Sequence, residues 1–489
     1  MRGRYPMAGI AGMFGPGASR DTVDAMLETI NHRGPDSRRV LEGPVFSIGC
    51  CEGQFGGHRE HAMAGGDLEA LVLDGVIHNR DWVNHRDADS LWSLRQKFGY
   101  DCVKKLKGAY AVAIAGGEEL LLARDPVGSR PLFYGRRDNT ISFASEAKAL
   151  CGITDDVQEL PPGIMFSSQK STQRLPVLRS EGSPFRTRGK ARQVLRDLLE
   201  SVVRDAVKDG SVGGIALSGG LDSSILSALA LRYLPGLELY TFGLEGSSDP
   251  DHARLVAAHL GAENRHHVHI VEPTIAEETV REAIWHLESF EEDCVIGCVA
   301  NILASRYISQ HTGCCICGEG ADALFAGYHL IREMSDRERR QSILDTLIDT
   351  AYATSLRRLD RAWMANSIEY RAPFLDARIV DFARRVPVHW KMGKAESGKR
   401  ILRDTFKDLL PERIIERDKA QFASGASVDT VLREIGRRRI SDEEYRAQRI
   451  TQTGFELRSP NELWYYRLFK EMFPPEAYER QVVRWNPIR

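Results

Sequence analysis

The stretch Gly214-Ile215-Ala216-Leu217-Ser218-Gly219-Gly220-Leu221-Asp222-Ser223-Ser224 decides the fold of the second half of this 489-residue chain. Its first four residues form a short apolar run typical of a buried strand, and apolar residues after Ser224 begin a helical pattern. A glycine-rich turn between a strand and a helix lets backbone N–H groups approach an anion, which the helix dipole also favours. Serine hydroxyls add donors, and the carboxylate of Asp222 can hold magnesium. The stretch therefore predicts a phosphate-binding site at a helix N-terminus.

Strand and helix patterns alternate after this stretch. The sequence predicts strands over 239–243, 266–270 and 314–317, and helices over 251–260, 275–290 and 299–310. This order predicts a doubly wound parallel sheet, in which ligands bind at the carboxyl ends of the strands. The segment 318–322, Gly-Glu-Gly-Ala-Asp, directly follows the last of these strands, so we expect it to face the same ligand.

Several of these segments are similar to motifs of known ligases. Residues 218–224, SGGLDSS, resemble the PP-motif of the ATP pyrophosphatases and lack the Gly-Lys-Ser/Thr ending of a Walker loop. Residues 318–322 resemble the GEGxDE motif of asparagine synthetases, although Ala323 stands where that motif closes with Glu. Residues 360–376 look like the DRxxMAxxxExRxPFLD block of the same enzymes, and further matches follow at 397–403 and 409–411.

The resemblance implies an ATP-dependent carbon–nitrogen ligase of asparagine biosynthesis. Such an enzyme transfers AMP from ATP to a carboxylate and releases pyrophosphate, after which ammonia or an amine displaces AMP and leaves an amide. Asp222 and Asp322 would hold Mg2+, Glu319 would act as general base on the amine, and Lys419 would steady the adenylate and pyrophosphate. The residues implied around ATP are Leu217, Ser218, Gly219, Gly220, Asp222, Ser223, Ser224 and Gly318.

The first half of the chain resembles the class II glutamine amidotransferases. The similar segments are NHRGPD at 31–36, ARDPVGSRPL at 123–132 and FASEAKAL at 143–150. Short strand patterns between turn residues suit the αββα sandwich of this NTN-hydrolase-like family. The implied fold class is α/β: an α+β sandwich followed by a PP-loop, adenine nucleotide alpha hydrolase-like domain with a helical C-terminal region.

The amidotransferase resemblance fails at its catalytic residues. That family begins with a nucleophilic cysteine before Gly-Ile-Ala-Gly, and this chain has Ala8 there. Alanine has no nucleophilic atom, and neither Cys50 nor Cys51 has a free α-amine to serve as its base. Asp74 replaces the asparagine of the oxyanion hole, and a carboxylate cannot donate a hydrogen bond to an oxyanion.

Two further pocket motifs are missing. The arginine that grips the glutamine carboxylate has no counterpart in residues 47–52, and a GSD triplet survives only as His85-Arg86-Asp87. The sequence therefore predicts a glutaminase-like domain without glutaminase activity, and a ligase whose ammonia comes from elsewhere.

Length and composition predict separate units. A chain of 489 residues exceeds a single core. The predicted units are an amidotransferase-like domain at 1–166, a linker at 167–190 and an asparagine synthetase-like domain with a helical extension at 191–489. Charged residues make up 27% and the formal net charge is −2, so we expect no nucleic-acid partner. The sequence shows neither a membrane-spanning run nor a signal core, and its nine irregular cysteines suit reduced thiols, so we expect a cytoplasmic protein.

The substrate is left open at this stage. Asparagine synthetases place Thr and Arg residues shortly after the position of Phe290, but residues 291–298 contain no cation. We interpret the acidic run at 291–293 as a solvated helix end. An aspartate substrate should need an Arg or Lys partner for its α-carboxylate, so either another residue supplies it or the substrate is not aspartate.

Three readings of function follow. The first is an amide ligase for the aspartate side chain that uses free ammonia. The second is a ligase that takes its amine from an organic substrate, as β-lactam synthetases and lasso-peptide cyclases do. The third, a non-catalytic nucleotide-binding protein, predicts a broken glycine-rich turn, and residues 218–224 are intact. A homodimer and a separate glutaminase partner are left open.

Overall fold

The computed structural model describes residues 7–53, 62–77, 87–176, 185–332, 334, 336–393, 398–417 and 422–485. The first part of the chain, up to residue 176, is built mainly of short antiparallel strands. Its strands are β1 Met7–Phe14, β2 Ser37–Gly43, β3 Phe46–Gly53, β4 Met63–Gly65, β5 Glu69–Ile77, β6 Gly108–Gly116, β7 Glu119–Arg124, β8 Phe133–Arg137, β9 Thr140–Ala144, β10 Val157–Glu159, β11 Ile164–Ser167 and β12 Gln173–Arg174. Its helices are α1 Arg20–Thr29 and α2 Asp87–Phe98, with 3-10 turns at Asn31–Arg33, Gly99–Lys105 and Ala147–Leu150.

These strands form two six-stranded sheets, in the orders β10-β8-β9-β1-β3-β2 and β12-β11-β7-β6-β5-β4. Alternate residues of β1, β3, β5 and β6 meet in a core between the sheets, because successive side chains of a strand point to opposite faces. Helix α1 packs on the outer face of the first sheet and α2 on the outer face of the second. The expected αββα sandwich is confirmed.

The second part of the chain alternates strands and helices. Its strands are β13 Gly214–Ala216, β14 Glu238–Leu244, β15 His266–Val271, β16 Cys314–Ile316 and β17 Glu369–Arg371. Its helices are α3 Arg188–Val207, α4 Leu221–Tyr233, α5 Asp249–His259, α6 Thr274–Leu287, α7 Glu292–Ser309, α8 Ala321–Leu324, α9 His329–Arg332, α10 Arg337–Asp349, α11 Ser355–Met364, α12 Ala377–Arg385, α13 Val388–Lys391, α14 Arg400–Phe406, α15 Glu412–Ile415, α16 Phe422–Gly425, α17 Val428–Arg439, α18 Asp442–Gln448, α19 Pro460–Met472 and α20 Glu476–Glu479. Short 3-10 turns lie at Glu263–Arg265, Ala351–Ala353 and Pro373–Leu375. Among the described residues, no helix combines the length and apolarity needed to cross a membrane.

The five strands of this part form one sheet in the order β15-β14-β13-β16-β17, and every neighbouring pair is parallel. The chain moves outward from β13 to β15 and then crosses back to β16, so the strand order reverses between β13 and β16. A doubly wound sheet binds its ligand at the carboxyl ends of the strands at such a point. The glycine-rich turn after β13 and the segment after β16 therefore lie side by side.

The acidic run near residue 292 differs from the expectation. Helix α7 begins at Glu292 rather than at residue 299, so the run is a helix N-terminus, where acidic side chains are favoured. Glu291 caps this helix by accepting a hydrogen bond from the Cys294 N–H at 2.8 Å. The Glu291 side chain is buried rather than solvated, and burial raises the pKa of its carboxyl to about 8.

A cluster of buried charges joins the two parts of the chain. Arg33 lies beside β1 and donates hydrogen bonds to Asp74 at 2.9 Å, to Glu146 at 3.0 Å and to Asp360 of α11 at 2.7 Å. Arg361, also on α11, lies 3.0 Å from Glu146. All five side chains are at most 1% exposed. We call these five residues the interface cluster.

Charges so far from water persist only when each has partners, because an unpaired buried ion is very unfavourable. Burial alone would raise the pKa of the Asp360 carboxyl, but the Arg33 guanidinium reverses this and holds that pKa below its usual value. Burial is likewise outweighed at Glu146, where Arg361 and Lys148 hold the pKa well below its usual range. Both carboxylates thus remain charged at neutral pH and stabilise the contact between the two parts.

Replacing Asp360 with alanine tests the energetic role of the interface cluster. Asp360→Ala leaves Arg33 buried with fewer partners, so we expect the free energy of unfolding to fall by about 3–5 kcal/mol. Chemical denaturation followed by circular dichroism measures this change. Asp251→Ala, which removes an exposed carboxylate paired with Arg254, should have little effect, and equal stability losses in the two variants would contradict the role.

Candidate active site

A cavity of about 170 Å³ lies at the carboxyl ends of β13 and β16. The glycine-rich turn and the segment after β16 form its floor, and side chains from α7, α11 and the C-terminal helical region form its walls. The predicted site residues that line it are Leu217, Ser218, Gly220, Asp222, Ser223, Gly318, Glu319 and Asp322. The sheet topology thus brings together residues that are about one hundred positions apart in the chain.

Gly219 gives the phosphate-binding turn its shape. Its φ of +67° lies in the left-handed region, and a Cβ at this position would come within 2.4 Å of the Ala253 backbone nitrogen. Gly220 precedes the first turn of α4, and no side chain of the described residues caps this helix. The backbone N–H groups of the first turn are therefore available to an anion.

Ser218, Ser223 and Ser224 hold the turn in place. The Ser218 N–H donates to the Ser223 hydroxyl at 3.2 Å, and the two hydroxyls lie 3.1 Å apart. Ser224 is fully buried and donates to the Gly220 carbonyl oxygen at 2.7 Å. Ser224 and Gly219 therefore shape the turn from behind, whereas Ser218 and Ser223 face the cavity.

Lys399 lies between the two carboxylates that the sequence predicts as metal ligands. Its Nζ is 2.6 Å from Asp322 Oδ1 and also forms an ion pair with Asp222. The lysine is 2% exposed and has a left-handed backbone with φ of +61°. Its ammonium group shows that the position between Asp222 and Asp322 accepts a cation. Lys399 lies in the matching segment 397–403, whose sequence alone assigned it no role.

Glu319, the predicted general base, is paired with an arginine from another helix. Arg358 of α11 donates from Nη2 to Glu319 Oε2 at 2.8 Å. The arginine occupies space beside Gly297, where a Cβ would lie 2.6 Å from Arg358 Cδ. Gly297 on α7 thus leaves space for the Arg358 guanidinium from α11. Residues 291–298 contain no cation themselves, but the fold places Arg358 beside them.

Arg417, the last described residue before Lys419, lines the cavity. Lys419 itself lies outside the described residues, so its predicted role stays a prediction. Arg417 donates to Asp249 at 2.8 Å and to the Ser218 carbonyl oxygen at 3.4 Å. Arg403 donates to the Arg417 carbonyl oxygen at 2.9 Å. These contacts hold Arg417 against the phosphate-binding turn.

A second site, in the first part of the chain, contains the residues that resemble a glutamine pocket. Ala8 on β1 and Asp74 on β5 are both buried, and the guanidinium of Arg33 contacts each of them. Arg33 Nε donates to the Ala8 carbonyl oxygen at 3.4 Å and Nη2 donates to Asp74 at 2.9 Å. Asp74 also accepts a hydrogen bond from the Ser145 hydroxyl at 3.2 Å. Residues 85 and 86, of the altered GSD triplet, lie outside the described residues.

The cysteines near Ala8 are inert. Cys50 and Cys51 are fully buried on β3, opposite Ile10 and Gly9 of β1. Burial raises the pKa of the Cys51 thiol to about 12 and that of Cys50 well above its ordinary value. Since the thiolate is the nucleophilic form, neither residue can act as a nucleophile at neutral pH.

Comparison with known proteins agrees with this arrangement. The profile of the family described as "Asparagine synthase" matches residues 194–351 and 336–486, which is more than half of the chain. A profile described as "Glutamine amidotransferase domain" matches residues 73–172. The chain belongs to the asparagine synthase family. Family membership makes the protein an ATP-dependent carbon–nitrogen ligase that forms AMP and pyrophosphate.

The chain is similar to curated proteins over most of its length. It is 30% identical to asparagine synthetase B [glutamine-hydrolyzing] of Escherichia coli (strain K12), with 84% of this chain and 80% of that protein covered. It is 27% identical to asparagine synthetase [glutamine-hydrolyzing] 2 of Arabidopsis thaliana, with 96% and 87% covered. A probable asparagine synthetase [glutamine-hydrolyzing] of Schizosaccharomyces pombe is 28% identical, with 94% and 92% covered.

Gly219→Ala tests the geometry of the phosphate-binding turn. A left-handed alanine costs about 1–2 kcal/mol before its clash with the Ala253 backbone, so we expect a lower melting temperature and at least about tenfold slower release of pyrophosphate from ATP. Gly236→Ala is the control, since a Cβ there meets nothing within 4 Å and the position follows the same helix. Wild-type turnover in Gly219→Ala would contradict the assigned role of the turn.

Proposed function

We propose that this protein activates the side-chain carboxylate of aspartate as an acyl-adenylate and amidates it with ammonia that its own amidotransferase-like part does not produce. The observation that carries the proposal is that Arg33 holds together two buried residues, Ala8 and Asp74, neither of which supplies the catalytic group that the family has there. The Arg33 guanidinium contacts both Ala8 and Asp74, the residues that stand where the family resemblance implies a nucleophile and an oxyanion donor.

The chemistry of glutamine hydrolysis argues against activity at this site. A nucleophile must attack the amide, and the methyl group of Ala8 cannot do so. The tetrahedral oxyanion then needs hydrogen-bond donors, whereas Asp74 offers a carboxylate that would repel it. The curated relatives are named as glutamine-hydrolyzing, so the proposal assigns this chain a nitrogen source different from theirs.

The interface cluster supports an external nitrogen source for a second reason. Its five side chains are at most 1% exposed, and they fill the contact between the first part of the chain and α11. Ammonia crossing this contact would have to displace buried, mutually paired charges. We therefore propose that ammonia enters the cavity from solvent.

The phosphate end of the cavity suits activation by ATP. The backbone N–H groups at the start of α4 and the hydroxyls of Ser218 and Ser223 supply donors for phosphate oxygens. Mg2+ is typically held by one or two carboxylates together with nucleotide phosphates, and Asp222 and Asp322 supply that number. Mg2+ at this position would neutralise charge that develops on the leaving pyrophosphate.

The other end of the cavity suits an amino dicarboxylic acid. Arg358 Nε is buried and has no hydrogen-bond partner among the described residues, while Nη2 is paired with Glu319. A planar guanidinium with a donor to spare can bind a carboxylate. Arg358 therefore supplies the cation that the α-carboxylate of aspartate requires, and Glu319 lies beside it as general base for the incoming ammonia.

The nitrogen source is tested by supplying each donor separately. We expect no glutamate from glutamine, and asparagine from aspartate, ATP, Mg2+ and ammonium. The rate should rise with pH toward the pKa of ammonium, because only neutral ammonia has a lone pair for attack. A chain that begins at residue 8 and carries Ala8→Cys should still release no glutamate, since the oxyanion donor and the arginine that grips the glutamine carboxylate would still be missing. Glutamine hydrolysis by the native chain would contradict the proposal.

The same assay separates the second reading from the first. If ammonium and aspartate fail while an acid with its own amine drives release of pyrophosphate, the protein is a ligase for an amine of an organic substrate. The products are detected by amino-acid chromatography and by coupled assay of pyrophosphate.

The cation position is tested by three substitutions. Asp222→Ala and Asp322→Ala should abolish formation of AMP and pyrophosphate, because several kcal/mol of charge stabilisation are lost. Lys399→Met leaves two carboxylates facing each other, so its melting temperature should fall without Mg2+ and should rise more on Mg2+ addition than that of the wild type.

The control for this experiment is Lys208→Met, which removes an exposed lysine outside the cavity. Its melting temperature should respond to Mg2+ as the wild type does. An identical response in Lys399→Met would refute a metal position between the two carboxylates, and ADP with phosphate as products would refute the chemistry.

A further inference from the structure

The end of the chain passes across both parts of the molecule. Residues 473–485, which we call the C-terminal strap, follow α19 and include α20. Tyr478 donates to the Ala147 carbonyl oxygen at 3.4 Å, and Gln481 Nε2 donates to the Val157 carbonyl oxygen at 2.8 Å. Arg357 of α11 donates to the Gln481 carbonyl oxygen at 3.2 Å. The strap is thus fixed to the first part of the chain and to α11.

The last described residues of the strap are held in a defined position. Arg484 forms an ion pair with the buried carboxylate of Glu462, and its guanidinium lies 4.0 Å from the centre of the Phe455 ring. Both contacts come from the C-terminal helical region. They fix the backbone that directly precedes Trp485.

Trp485 is buried and lines the active-site cavity. Its ring meets Tyr328 edge to face, with centroids 5.0 Å apart and planes at 83°. Burial, followed by the charges of Asp322 and Glu319, raises the pKa of Tyr328 well above its ordinary value. The Gly327 N–H donates to the Asp322 carbonyl oxygen at 2.9 Å, so Tyr328 lies close to the segment after β16, and both Tyr328 and Trp485 line the cavity.

Trp485 lines the same cavity as the paired side chains of Glu319 and Arg358. Large aromatic rings, Tyr328 and Trp485 among them, line the cavity together with the backbone and small side chains of the phosphate-binding turn. An indole in an edge-to-face contact is a rigid wall, because burial and its neighbours restrict its rotation. The volume left for the acid beside Arg358 depends on this wall.

We propose that Trp485 is a specificity-determining residue, which limits the carboxylate substrate to short amino dicarboxylic acids such as aspartate. The inference rests on the proposed function, because it concerns the acid that the ligase activates. A wall that excludes one extra methylene from an apolar pocket typically discriminates by about 10- to 200-fold. Removal of the indole should therefore admit longer acids.

The test compares Trp485→Ala with Trp485→Phe in the full chain. Carboxylate-dependent release of pyrophosphate is measured with aspartate, glutamate and 2-aminoadipate. In Trp485→Ala we expect the KM for aspartate to rise and the ratio of kcat/KM for glutamate over aspartate to rise at least about tenfold. The KM for ATP should stay within about twofold of the wild type. Trp485→Phe, which keeps an aromatic ring, should retain most of the wild-type preference.

Trp390→Ala serves as the matched control, since Trp390 is a large ring outside the cavity lining. It should leave the preference among the three acids unchanged. An equal loss with all acids in Trp485→Ala, or a change confined to the KM for ATP, would overturn the inference. If Trp485→Ala does not fold, Trp485→Leu and Trp485→Phe give the graded comparison.

A second measurement separates this inference from the proposed function. Fluorescence of the wild type minus that of Trp485→Phe reports on this indole alone, and should change when a short amino dicarboxylic acid is added with a non-hydrolysable ATP analogue. A wild type that binds aspartate in this way but forms no asparagine contradicts the function only. Asparagine formation without any such fluorescence change contradicts the inference only.

Discussion

The contact between Arg33 and Asp360 is the interaction on which the arrangement of the molecule depends. Each ion has left water, and the hydrogen bond of 2.7 Å between them compensates part of that cost. Separating the two parts of the chain would break this pair and leave Arg361 and Glu146 to be rehydrated as well. The amidotransferase-like part is therefore held against the part that matches the asparagine synthase family.

Helix α11 links this contact to the position of side chains in the cavity. Arg357 pairs with Glu159 of the first part and binds the C-terminal strap, while the adjacent Arg358 reaches Glu319 in the cavity. Neighbouring side chains on one short helix thus touch the amidotransferase-like part, the strap and the proposed base. Because a helix is stiff over ten residues, its position against Arg33 also sets the position of Arg358. The first part thereby contributes to the active site as a support, whatever its own chemistry.

How much of this was predictable from the sequence depends on how local each signal is. The glycine-rich turn, the segment after β16 and their adjacency were predicted, because strand, turn and helix signals are short-range and a doubly wound sheet fixes which strand ends meet. Lys399 was missed because its ammonium group reaches the two carboxylates only after Gly398 and Lys399 adopt their folded backbone. The prediction that Glu291 is solvated was wrong. Packing against the C-terminal helices, and not local polarity, decides that its side chain is buried.

The two ends of the cavity differ in the same way, and this difference explains why reaction class is easier to predict than substrate. The predicted phosphate site consists of backbone groups of one continuous turn, so the residues that form it are adjacent in sequence. In the proposed site the acid lies beside Arg358, Tyr328 and Trp485, which come from three separate segments and line one cavity only in the folded chain. The number of residues between them depends on the lengths of the intervening helices. The reaction does not constrain those lengths. A sequence motif can therefore predict that ATP is cleaved to AMP, while the identity of the acid depends on tertiary packing.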